Sequence, residues 1–361
     1  MILPGTPETL IEKCVARSSL SDAEATFLFS PAFDTHRTDL YAAADRVRSE
    51  MVGDDVYLRG LIEYSNYCTC RCAYCGISAF NADIERYRMS PDEILSTLSA
   101  GYDMGFRSFV LQSGEDPIWR EQDIVALVKT IKSRFDVAIA LSVGEWPRSS
   151  LEAFRAAGTD RYLLRIETSD PELFAKLHPD SNWEARHRCL MDLKELGFQV
   201  GSGVLVGLPG QNGASLGRDL RYLIGIQPEM VGIGPFIPHP LTPLGNATGG
   251  TLDACLTFLA LLRLYLPDAF LPATSAMGSI HPDGRRQALK AGANVLMPNI
   301  SPIENRARYQ LYPGKICLND DALKCRTCVE GWVTAMGRKC NPGHGHIIRR
   351  SRPTNTAFNG A

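Results

Sequence analysis

Short runs of apolar residues alternate with longer amphipathic segments along most of the chain, beginning near residue 57. Each apolar run has the length of a buried strand and ends in small or polar residues, whereas the segments between runs have helical periodicity. The pattern predicts eight strands, near residues 57–64, 107–112, 137–142, 161–166, 199–206, 230–235, 270–275 and 294–299. Because strands that alternate with helices form parallel sheets, we expect an α/β fold, a complete (β/α)8 TIM barrel.

Helix-start signals and the ends of the barrel pattern divide the chain into three predicted regions. Ser90 followed by Pro91, and Ser21 with Glu24 three residues later, are typical of helix N-termini. Residues 1–56 are predicted to form an N-terminal helical extension, residues 57–312 the barrel, and residues 313–361 a C-terminal extension. The polar, proline-containing end of that extension is predicted to be a loose tail.

Composition narrows the partners that the protein can have. Of the 361 residues, 45% are hydrophobic, which is enough for a large core. The net charge of -2 gives no positively charged surface for nucleic acid. The N-terminus lacks a basic segment before an apolar run, and no stretch approaches the roughly 20 apolar residues of a membrane span. We therefore expect a cytoplasmic protein that binds neither nucleic acid nor membrane.

The chain contains 11 cysteines, and without an export signal these favour metal binding or buried thiols over disulfides. Cys68, Cys72 and Cys75 have the spacing C-x3-C-x2-C directly after the first predicted strand. Three thiolates can bind three irons of a [4Fe-4S] cluster and leave the fourth iron open to another ligand. A zinc site completed by Cys70 is the alternative. Because alternate residues of an extended loop point apart, we expect Cys70 to be a bystander.

This cysteine loop resembles the signature of the radical S-adenosylmethionine (SAM) superfamily. The resemblance implies that a [4Fe-4S] cluster reductively cleaves SAM to methionine and a 5'-deoxyadenosyl radical, and that Tyr74 lies near the adenine. Gln112, Ser113, Gly114 and Glu115 follow the second predicted strand and resemble the glycine-rich loop that binds the SAM amino group in that family. We assign no catalytic residue beyond the cluster ligands.

Two more charged residues are predicted to bind SAM. Glu167, at the end of the fourth predicted strand, is placed to accept hydrogen bonds from the ribose diol, and Arg186 on the next helix is placed to pair with the SAM carboxylate. For either residue the alternative is an ion pair that closes the barrel wall. Residues 203–211 are glycine-rich, consistent with backbone close to the adenine, and no Lys-Ser/Thr pair follows as a phosphate loop would require.

Longer blocks resemble one family within that superfamily. The segments LRGLIEYSNYC, VLQSGEDP, VGIGPFIPHP, GANVLMPN and YQLYPGKIC are similar to the HydE maturases of [FeFe]-hydrogenase, from about Tyr57 to Gly337. The resemblance implies a radical SAM enzyme that helps to assemble the diiron subcluster of the hydrogenase. Its substrate would be an iron-cysteine complex supplied by HydG, its product would pass to the HydF scaffold, and ferredoxin or flavodoxin would be the reductant.

Two alternatives remain beside the HydE resemblance. A radical SAM amino-acid mutase of the methylornithine synthase type shares the cluster loop and the GEDP block, with less likeness in the C-terminal blocks. A non-catalytic zinc-binding scaffold would use the same cysteines without SAM. Biotin synthase is similar in fold, but it should place several cysteines inside the barrel, and no predicted strand of this chain carries a cysteine.

The HydE resemblance also implies a substrate chamber inside the barrel mouth. In that family Thr274 and Ser275 match positions that bind a small anionic ligand, and hydroxyl groups beside a guanidinium suit a carboxylate-bearing substrate. Packing within the barrel core is the alternative for two of the lining residues, Met297 and Tyr312. The residues predicted to bind substrate are Arg165, Thr274, Ser275, Met297, Tyr309 and Tyr312.

A second group of cysteines lies near the C-terminus. Cys317, Cys325 and Cys328 have the spacing C-x7-C-x2-C and resemble a surface cluster site of some HydE proteins, with Cys340 as a candidate fourth ligand. The resemblance implies a second iron-sulfur cluster, [2Fe-2S] or [4Fe-4S], that is dispensable for activity. A zinc site or uncoordinated thiols are the alternatives.

Overall fold

The computed structural model describes residues 5–319 and 322–347, without the side chains of residues 322–325. The predicted tail beyond residue 347 and the Cys325 side chain lie outside the described residues. Within the described part of the chain, no helix combines the length and apolar character that crossing a membrane requires.

Three helices precede the sheet. They are α1 (Pro7–Val15), α2 (Asp22–Leu28) and α3 (Arg37–Val52), with a 3-10 helix at Pro31–His36 between the last two. The predicted capping box is confirmed at the start of α2, where Ser21 accepts from the backbone of Glu24 and the Glu24 side chain accepts from the backbone of Ser21.

Strands and helices alternate through the centre of the chain. The helices are α4 (Pro91–Asp103), α5 (Glu121–Arg134), α6 (Arg148–Ala156), α7 (Pro171–Leu177), α8 (Trp183–Glu195), α9 (Gly213–Ile226), α10 (Leu252–Tyr265), α11 (Ser275–Ile280), α12 (Gly284–Lys290), α13 (Ile303–Arg306) and α14 (Ala322–Ala335). The strands are β1 (Asp55–Leu58), β2 (Gly60–Ser65), β3 (Ser108–Ser113), β4 (Ala138–Ser142), β5 (Arg161–Leu163), β6 (Gln199–Ser202), β7 (Leu205–Val206), β8 (Met230–Val231), β9 (Gly234–Pro235), β10 (Val295–Leu296) and β11 (Lys339–Asn341).

Six of these strands form one parallel sheet in the order β2-β3-β4-β5-β6-β8. Its register places apolar side chains of neighbouring strands side by side, for example Ile62 beside Leu111 and Leu111 beside Leu141. The predicted α/β fold is therefore confirmed at the level of a parallel sheet wrapped by helices. Because the strands are parallel, the loops that follow them meet at one edge of the sheet.

The strand pairings beyond the six-stranded sheet are shorter than predicted. Met230 pairs with Phe270, and Pro272 pairs with Val295, through single parallel bridges. The predicted strand at 270–275 is not a regular strand, because Pro272 has no N–H to donate to a ladder and helix α11 already begins at Ser275. The last predicted strand is reduced to β10, which pairs with β1.

Three predicted strands are each divided into two pieces. The strand predicted at 57–64 is split into β1 and β2, which belong to different sheets. The other two are divided by a close approach of backbones. A Cβ atom on Gly203 would overlap the Gly232 carbonyl oxygen, so the chains touch between β6 and β7 on one side and between β8 and β9 on the other. The short strands β7 and β9 pair with each other beyond this point. Glycine is required where two backbones approach this closely.

The C-terminal segment covers the opposite edge of the sheet, where the strands begin. Strand β11 runs parallel to β1, with Cys340 beside Val56. Arg161, the first residue of β5, donates to the carbonyl oxygens of His344 and Gly345 at 2.6 and 2.7 Å. The loops at the carboxyl edge are thus left as the open end of the sheet.

Candidate functional site

The three cysteines predicted to bind a cluster lie in the loop after β2, at the carboxyl edge of the sheet. The backbone N–H of Ala73 donates to the Leu177 carbonyl at 2.9 Å, and that of Gly76 donates to the Leu311 carbonyl at 2.8 Å. The N–H of Thr69 donates to the loop that follows β3 at 3.1 Å. Because three separate parts of the chain hold this loop, its conformation is set by the fold.

Two thiols of this loop, those of Cys72 and Cys75, are poorly suited to carry charge alone. Burial raises the pKa of Cys75 to about 12 and raises the pKa of Cys72 further, with repulsion from neighbouring cysteines adding to the effect. A hydrogen bond from Cys70 lowers the pKa of Cys68 to about 7. Thiolates packed together need positive charge beside them, so the donor set fits a bound iron-sulfur core.

The geometry of the loop differs from that of a single-ion site. In the part of the chain that the structure describes, no three His, Cys, Asp or Glu side chains are arranged to hold one metal ion. A [4Fe-4S] cube binds each thiolate to a different iron, so its ligand sulfurs do not have to converge on one point.

Cys70 lies beside the predicted ligands and does not point away from them. Its side chain is close enough to those of Cys68 and Glu115 to lower the pKa of each. The expectation that alternate residues diverge is wrong here because the loop curls: the Ala79 N–H and the Ser78 hydroxyl both donate to the Cys70 carbonyl. Cys70 is therefore a neighbour of the site.

A buried histidine that sequence analysis missed also touches the loop. His178 caps the end of α7, and its Nδ1 lies 3.3 Å from Cys72 Sγ while its Nε2 lies 3.4 Å from the Tyr74 hydroxyl. Burial, and secondarily the nearby Arg186 guanidinium, lower the pKa of His178 to about 3, so the imidazole is neutral. The histidine is 106 residues from Cys72, and no local spacing could reveal it.

Tyr74 faces the glycine-rich segment, as its predicted position near an adenine requires. Its ring packs against an apolar cluster formed by Leu177, Leu208 and Phe236. Leu208 belongs to the glycine-rich segment 203–211. The structure therefore brings these two predicted elements of the site together.

The loop after β3 packs directly on the cysteine loop. A Cβ atom on Gly114 would overlap the Tyr67 carbonyl oxygen and lie 2.7 Å from Cys68 Cβ, so only glycine allows this approach. Burial raises the pKa of Glu115, which accepts from the Glu145 N–H at 3.3 Å. A partly buried carboxylate next to the cysteines is a suitable partner for an ammonium group.

The other two residues of that predicted loop have different partners. Gln112 Nε2 donates to the Tyr309 hydroxyl at 3.3 Å, which joins it to a residue predicted to bind substrate. The Ser113 hydroxyl donates to the adjacent Gly114 carbonyl at 2.7 Å. Their predicted contacts with SAM stay predictions.

Glu167 has an unusual backbone conformation for a buried acidic residue. Its φ is +64°, in the left-handed region that side chains rarely adopt, and it is 7% exposed. Two backbone hydrogen bonds, to Gly203 and from Leu205, hold it there. Its Oε2 lies 3.0 Å from Arg165 Nη2 but accepts no hydrogen bond. A buried acceptor of this kind fits a ribose hydroxyl that donates to it.

Arg186 is already paired with a carboxylate of the wall. Its Nε donates to Glu145 Oε1 at 2.6 Å and its Nη1 donates to the Arg165 carbonyl at 3.0 Å. Burial opposes its charge, but the neighbouring Glu145, Tyr74 and Glu115 together outweigh the burial and raise the pKa of Arg186. A guanidinium has five donors, so the predicted pairing with the SAM carboxylate stays a prediction beside this ion pair.

Four of the six residues predicted to bind substrate, Ser275, Tyr312, Thr274 and Arg165, have the following contacts. The hydroxyls of Ser275 and Tyr312 are 2.8 Å apart. The buried Thr274 Oγ1 has no hydrogen-bond partner. Arg165 Nη2 donates to the Val204 carbonyl at 2.7 Å. An unpaired buried hydroxyl on the residue that precedes Ser275 is consistent with a polar ligand.

The remaining two residues of the predicted chamber are more deeply packed. Met297 packs against a small core cluster with Phe270 and Val295, so the packing alternative describes its environment. Tyr309 is 1% exposed. The Tyr309 backbone carbonyl accepts from Lys315 Nζ at 2.9 Å.

A buried ion pair that the sequence did not reveal holds the C-terminal segment to the sheet. Lys315 Nζ lies 2.5 Å from Glu63 Oε1, and Asn299 Nδ2 donates to Glu63 Oε2 at 2.6 Å. Each charge has a partner and further hydrogen bonds, as buried ion pairs require. This contact fixes Tyr309 over the end of β2.

The second cysteine group is spread over separate elements. Cys317 has φ of +60° and its Sγ is 4.0 Å from Arg285 Nη2. Cys328 is exposed on α14, and Cys340 lies on β11 against the main core. The side chain of Cys325 lies outside the described residues. The predicted second cluster site therefore stays a prediction.

Comparison with known proteins agrees with this geometry. Residues 62–223 match the family model described as the Radical SAM superfamily. The chain is 48% identical over 300 residues to the [FeFe] hydrogenase maturase subunit HydE of Thermotoga maritima, a match that covers 83% of this chain and 86% of that protein. It is 32% identical over 303 residues to the 3-methylornithine synthase of Methanosarcina acetivorans, covering 82% and 85%.

Solved structures support the same fold. Methylornithine synthase (PylB) superposes with a TM-score of 0.77 at 28% identity, over 92% of this chain and 97% of that one. The FeFe-hydrogenase maturase HydG from Carboxydothermus hydrogenoformans superposes with a TM-score of 0.76 at 22% identity, over 93% and 79%. The second likeness concerns the fold alone.

Proposed function

Because the chain belongs to the HydE family of the radical SAM superfamily, we propose that Cys68, Cys72 and Cys75 bind its [4Fe-4S] cluster. The observation that carries this assignment is the cysteine loop itself, which the fold holds at the carboxyl edge of the sheet through three independent backbone contacts. When bound, the cluster supplies the electron that cleaves SAM to methionine and a 5'-deoxyadenosyl radical.

The residues around the loop suit the separate parts of SAM. Glu115, partly buried beside the cysteine loop, would receive the ammonium group, and Glu167, whose Oε2 accepts no hydrogen bond, would accept from the ribose diol. Arg186 would pair with the carboxylate, and Tyr74 would lie against the adenine. Gln112, Ser113 and Gly114 complete this proposed SAM site, with Gly114 allowing the two loops to touch.

We propose that the substrate is the iron-cysteine complex supplied by HydG. A carboxylate on that complex would meet the hydroxyls of Thr274, Ser275 and Tyr312, with Arg165 alongside. Met297 and Tyr309 would close the inner wall of the chamber and exclude water from the radical. The adenosyl radical would attack a sulfur atom of the complex, and the product would pass to HydF.

The barrel itself is proposed to be complete. Single bridges and short strands link β8 through residues 270–272 and β10 back to β1 and β2, which is the connectivity of an eight-stranded ring. We divide the chain into the helical extension 1–56, the barrel 57–312 and the C-terminal extension 313–361. A closed ring would isolate the chamber from solvent on all sides except its mouth.

The cell compartment and the accessory groups belong to the same proposal. The described cysteines form no disulfide, as expected of a protein that works in the reducing cytoplasm. Ferredoxin or flavodoxin would supply the electron. Cys317, Cys325 and Cys328 would bind an additional cluster, [2Fe-2S] or [4Fe-4S], that SAM cleavage does not require.

Anaerobic turnover tests the proposed reaction. Reconstituted protein with SAM, dithionite and the iron-cysteine complex should form an adenosylated product, detected by mass spectrometry and by electron paramagnetic resonance (EPR). The Cys72→Ala variant is the matched control and should form none. Turnover of a free amino acid without the iron complex would instead favour a mutase of the methylornithine synthase type, and zinc without iron would favour a scaffold.

A further inference from the structure

The end of α7 docks on the cysteine loop through three consecutive contacts. The Leu177 carbonyl accepts from the Ala73 N–H at 2.9 Å, and Asp180 accepts from the Arg71 guanidinium at 2.6 Å. Between them, His178 Nδ1 lies 3.3 Å from the sulfur of Cys72. The backbone and ion-pair contacts on either side hold the imidazole against the sulfur.

The position of the proton on His178 follows from its two partners. A thiolate that binds iron has no proton to donate, so the contact with Cys72 requires Nδ1–H as the donor. The other nitrogen, Nε2, is then an acceptor, and the Tyr74 hydroxyl at 3.4 Å is placed to donate to it. Both contacts are satisfied by one neutral tautomer.

The ring has little freedom to leave this position. His178 is 5% exposed, and it stacks on Phe174 with ring centroids 4.6 Å apart. Tyr74 contacts it edge-on at 5.6 Å. Bulk water is therefore kept from the Cys72 sulfur on this side, and the imidazole N–H takes the place that a water donor would have.

We propose that His178 is a positioning residue for the [4Fe-4S] cluster: its Nδ1–H donates to the Cys72 thiolate and raises the reduction potential of the cluster. This inference rests on the proposed binding of the cluster by Cys72. Reduction adds negative charge that spreads onto the ligand sulfurs, and a donated hydrogen bond stabilises that charge more in the reduced state than in the oxidised state. Loss of the donor makes the cluster harder to reduce.

Variants of His178 separate the effect of its hydrogen bond from the effect of its packing. His178→Phe keeps an aromatic ring on Phe174 and removes the donor, whereas His178→Asn places an amide N–H where Nδ1 stood. His187→Phe is the matched control, because His187 is also on an aromatic stack, with Trp183, and bonds Tyr222 away from the cysteine loop. All three variants and the wild type are reconstituted anaerobically and titrated by EPR.

At the wild-type midpoint, the ratio of reduced to oxidised cluster should fall about three- to tenfold in His178→Phe, and tenfold is 59 mV for one electron. His178→Asn and His187→Phe should stay within about twofold of the wild type. An unchanged midpoint in a cluster-loaded His178→Phe, or an equal fall in His187→Phe, would overturn the inference. Failure of the wild type to assemble a [4Fe-4S] cluster would instead overturn the proposed function.

A second measurement is made on the wild-type protein. It tests the hydrogen bond even if the His178→Phe variant does not bind a cluster. Wild-type protein labelled with [15N]histidine is reduced and studied by pulsed EPR. A hyperfine coupling between the cluster and a histidine nitrogen, lost in His178→Asn, supports the hydrogen bond. No coupling in the wild type, or a coupling that persists in His178→Asn, contradicts it.

Discussion

The two cysteine groups of this chain have similar spacings but very different surroundings. Cys68, Cys72 and Cys75 lie in a loop that is tied by backbone hydrogen bonds to α7, to the loop after β3 and to the segment after α13. Cys317, Cys328 and Cys340 lie on a connecting segment, an exposed helix face and a strand at the opposite edge of the sheet.

The difference suggests a general lesson: the surrounding structure, more than the sequence spacing of the cysteines, determines how well a site suits a cluster. The first group has glycines that allow neighbouring loops to touch it, a partly buried carboxylate beside it and a histidine against one sulfur. In the second group, the described side chain of Cys317 lies 4.0 Å from Arg285 Nη2, and Cys328 is exposed. We therefore expect the chemistry to depend on the first group and to be nearly indifferent to the second.

The largest effect is expected within the first loop. Cys72→Ala removes one ligand of the cluster and should abolish SAM cleavage, with 5'-deoxyadenosine falling at least about a thousandfold, since an electron can no longer reach SAM. Cys70→Ala is the matched control, because Cys70 is adjacent but not a proposed ligand, and it should retain cleavage. Retained SAM cleavage in Cys72→Ala would contradict the claim that the chemistry depends on the first cysteine group.

A smaller effect is expected when a methyl group is added at a glycine beside the first cysteine group. Gly114→Ala places a Cβ against Tyr67 and Cys68, and overpacking of this kind costs about 1–3 kcal/mol, so both the thermal midpoint and the iron content should fall. Gly331→Ala is the control, because Gly331 is in helix α14 with no atom near its Cβ direction. That change should stabilise the protein by about 0.5–1 kcal/mol. Equal destabilisation by both changes would refute the argument from close approach.

The third effect is confined to SAM binding. Arg186→Lys keeps the charge but loses the planar fork, so the KM for SAM should rise about 10- to 100-fold while the cluster is retained. The corresponding change beside the second group, Arg285→Lys, should leave the KM unchanged. Steady-state formation of 5'-deoxyadenosine measures both. An unaltered KM in Arg186→Lys would show that the ion pair with Glu145 is its entire role.

The smallest effect concerns a thiol of the second group. Burial raises the pKa of Cys340 to about 11, so its reactive thiolate increases about tenfold per pH unit below that value. Alkylation of Cys340, followed by mass spectrometry, should therefore accelerate about 30-fold from pH 8 to 9.5, while SAM cleavage is unaffected by Cys340→Ser. Protection of Cys340 that depends on iron and is reversed by a chelator would identify it as a metal ligand.

Sequence alone predicted the parts of the site whose constraints are local. The cysteine loop, the glycine that touches it and the helix caps at Ser21 and Ser90 each lie within a few consecutive residues. The strand at 270–275 was wrong because a proline and an early helix start interrupt an otherwise suitable apolar run. Such a run does not show how many of its residues join a ladder.

The contacts that were missed join residues far apart in the chain. The Lys315–Glu63 pair spans 252 residues, and His178 reaches Cys72 across 106. Neither has a motif, since a single lysine or histidine has no periodicity. These residues are recognised only once the fold has placed them against the loop.

The most direct test of the account uses a variant that removes the entire second group. Cys317, Cys325 and Cys328 are replaced together by alanine, and the protein is reconstituted anaerobically with 57Fe and sulfide. The account predicts about four irons per chain, a [4Fe-4S] signal that changes when SAM is added, and 5'-deoxyadenosine within about twofold of the wild type. Loss of the SAM-responsive signal or of SAM cleavage in this variant would contradict it.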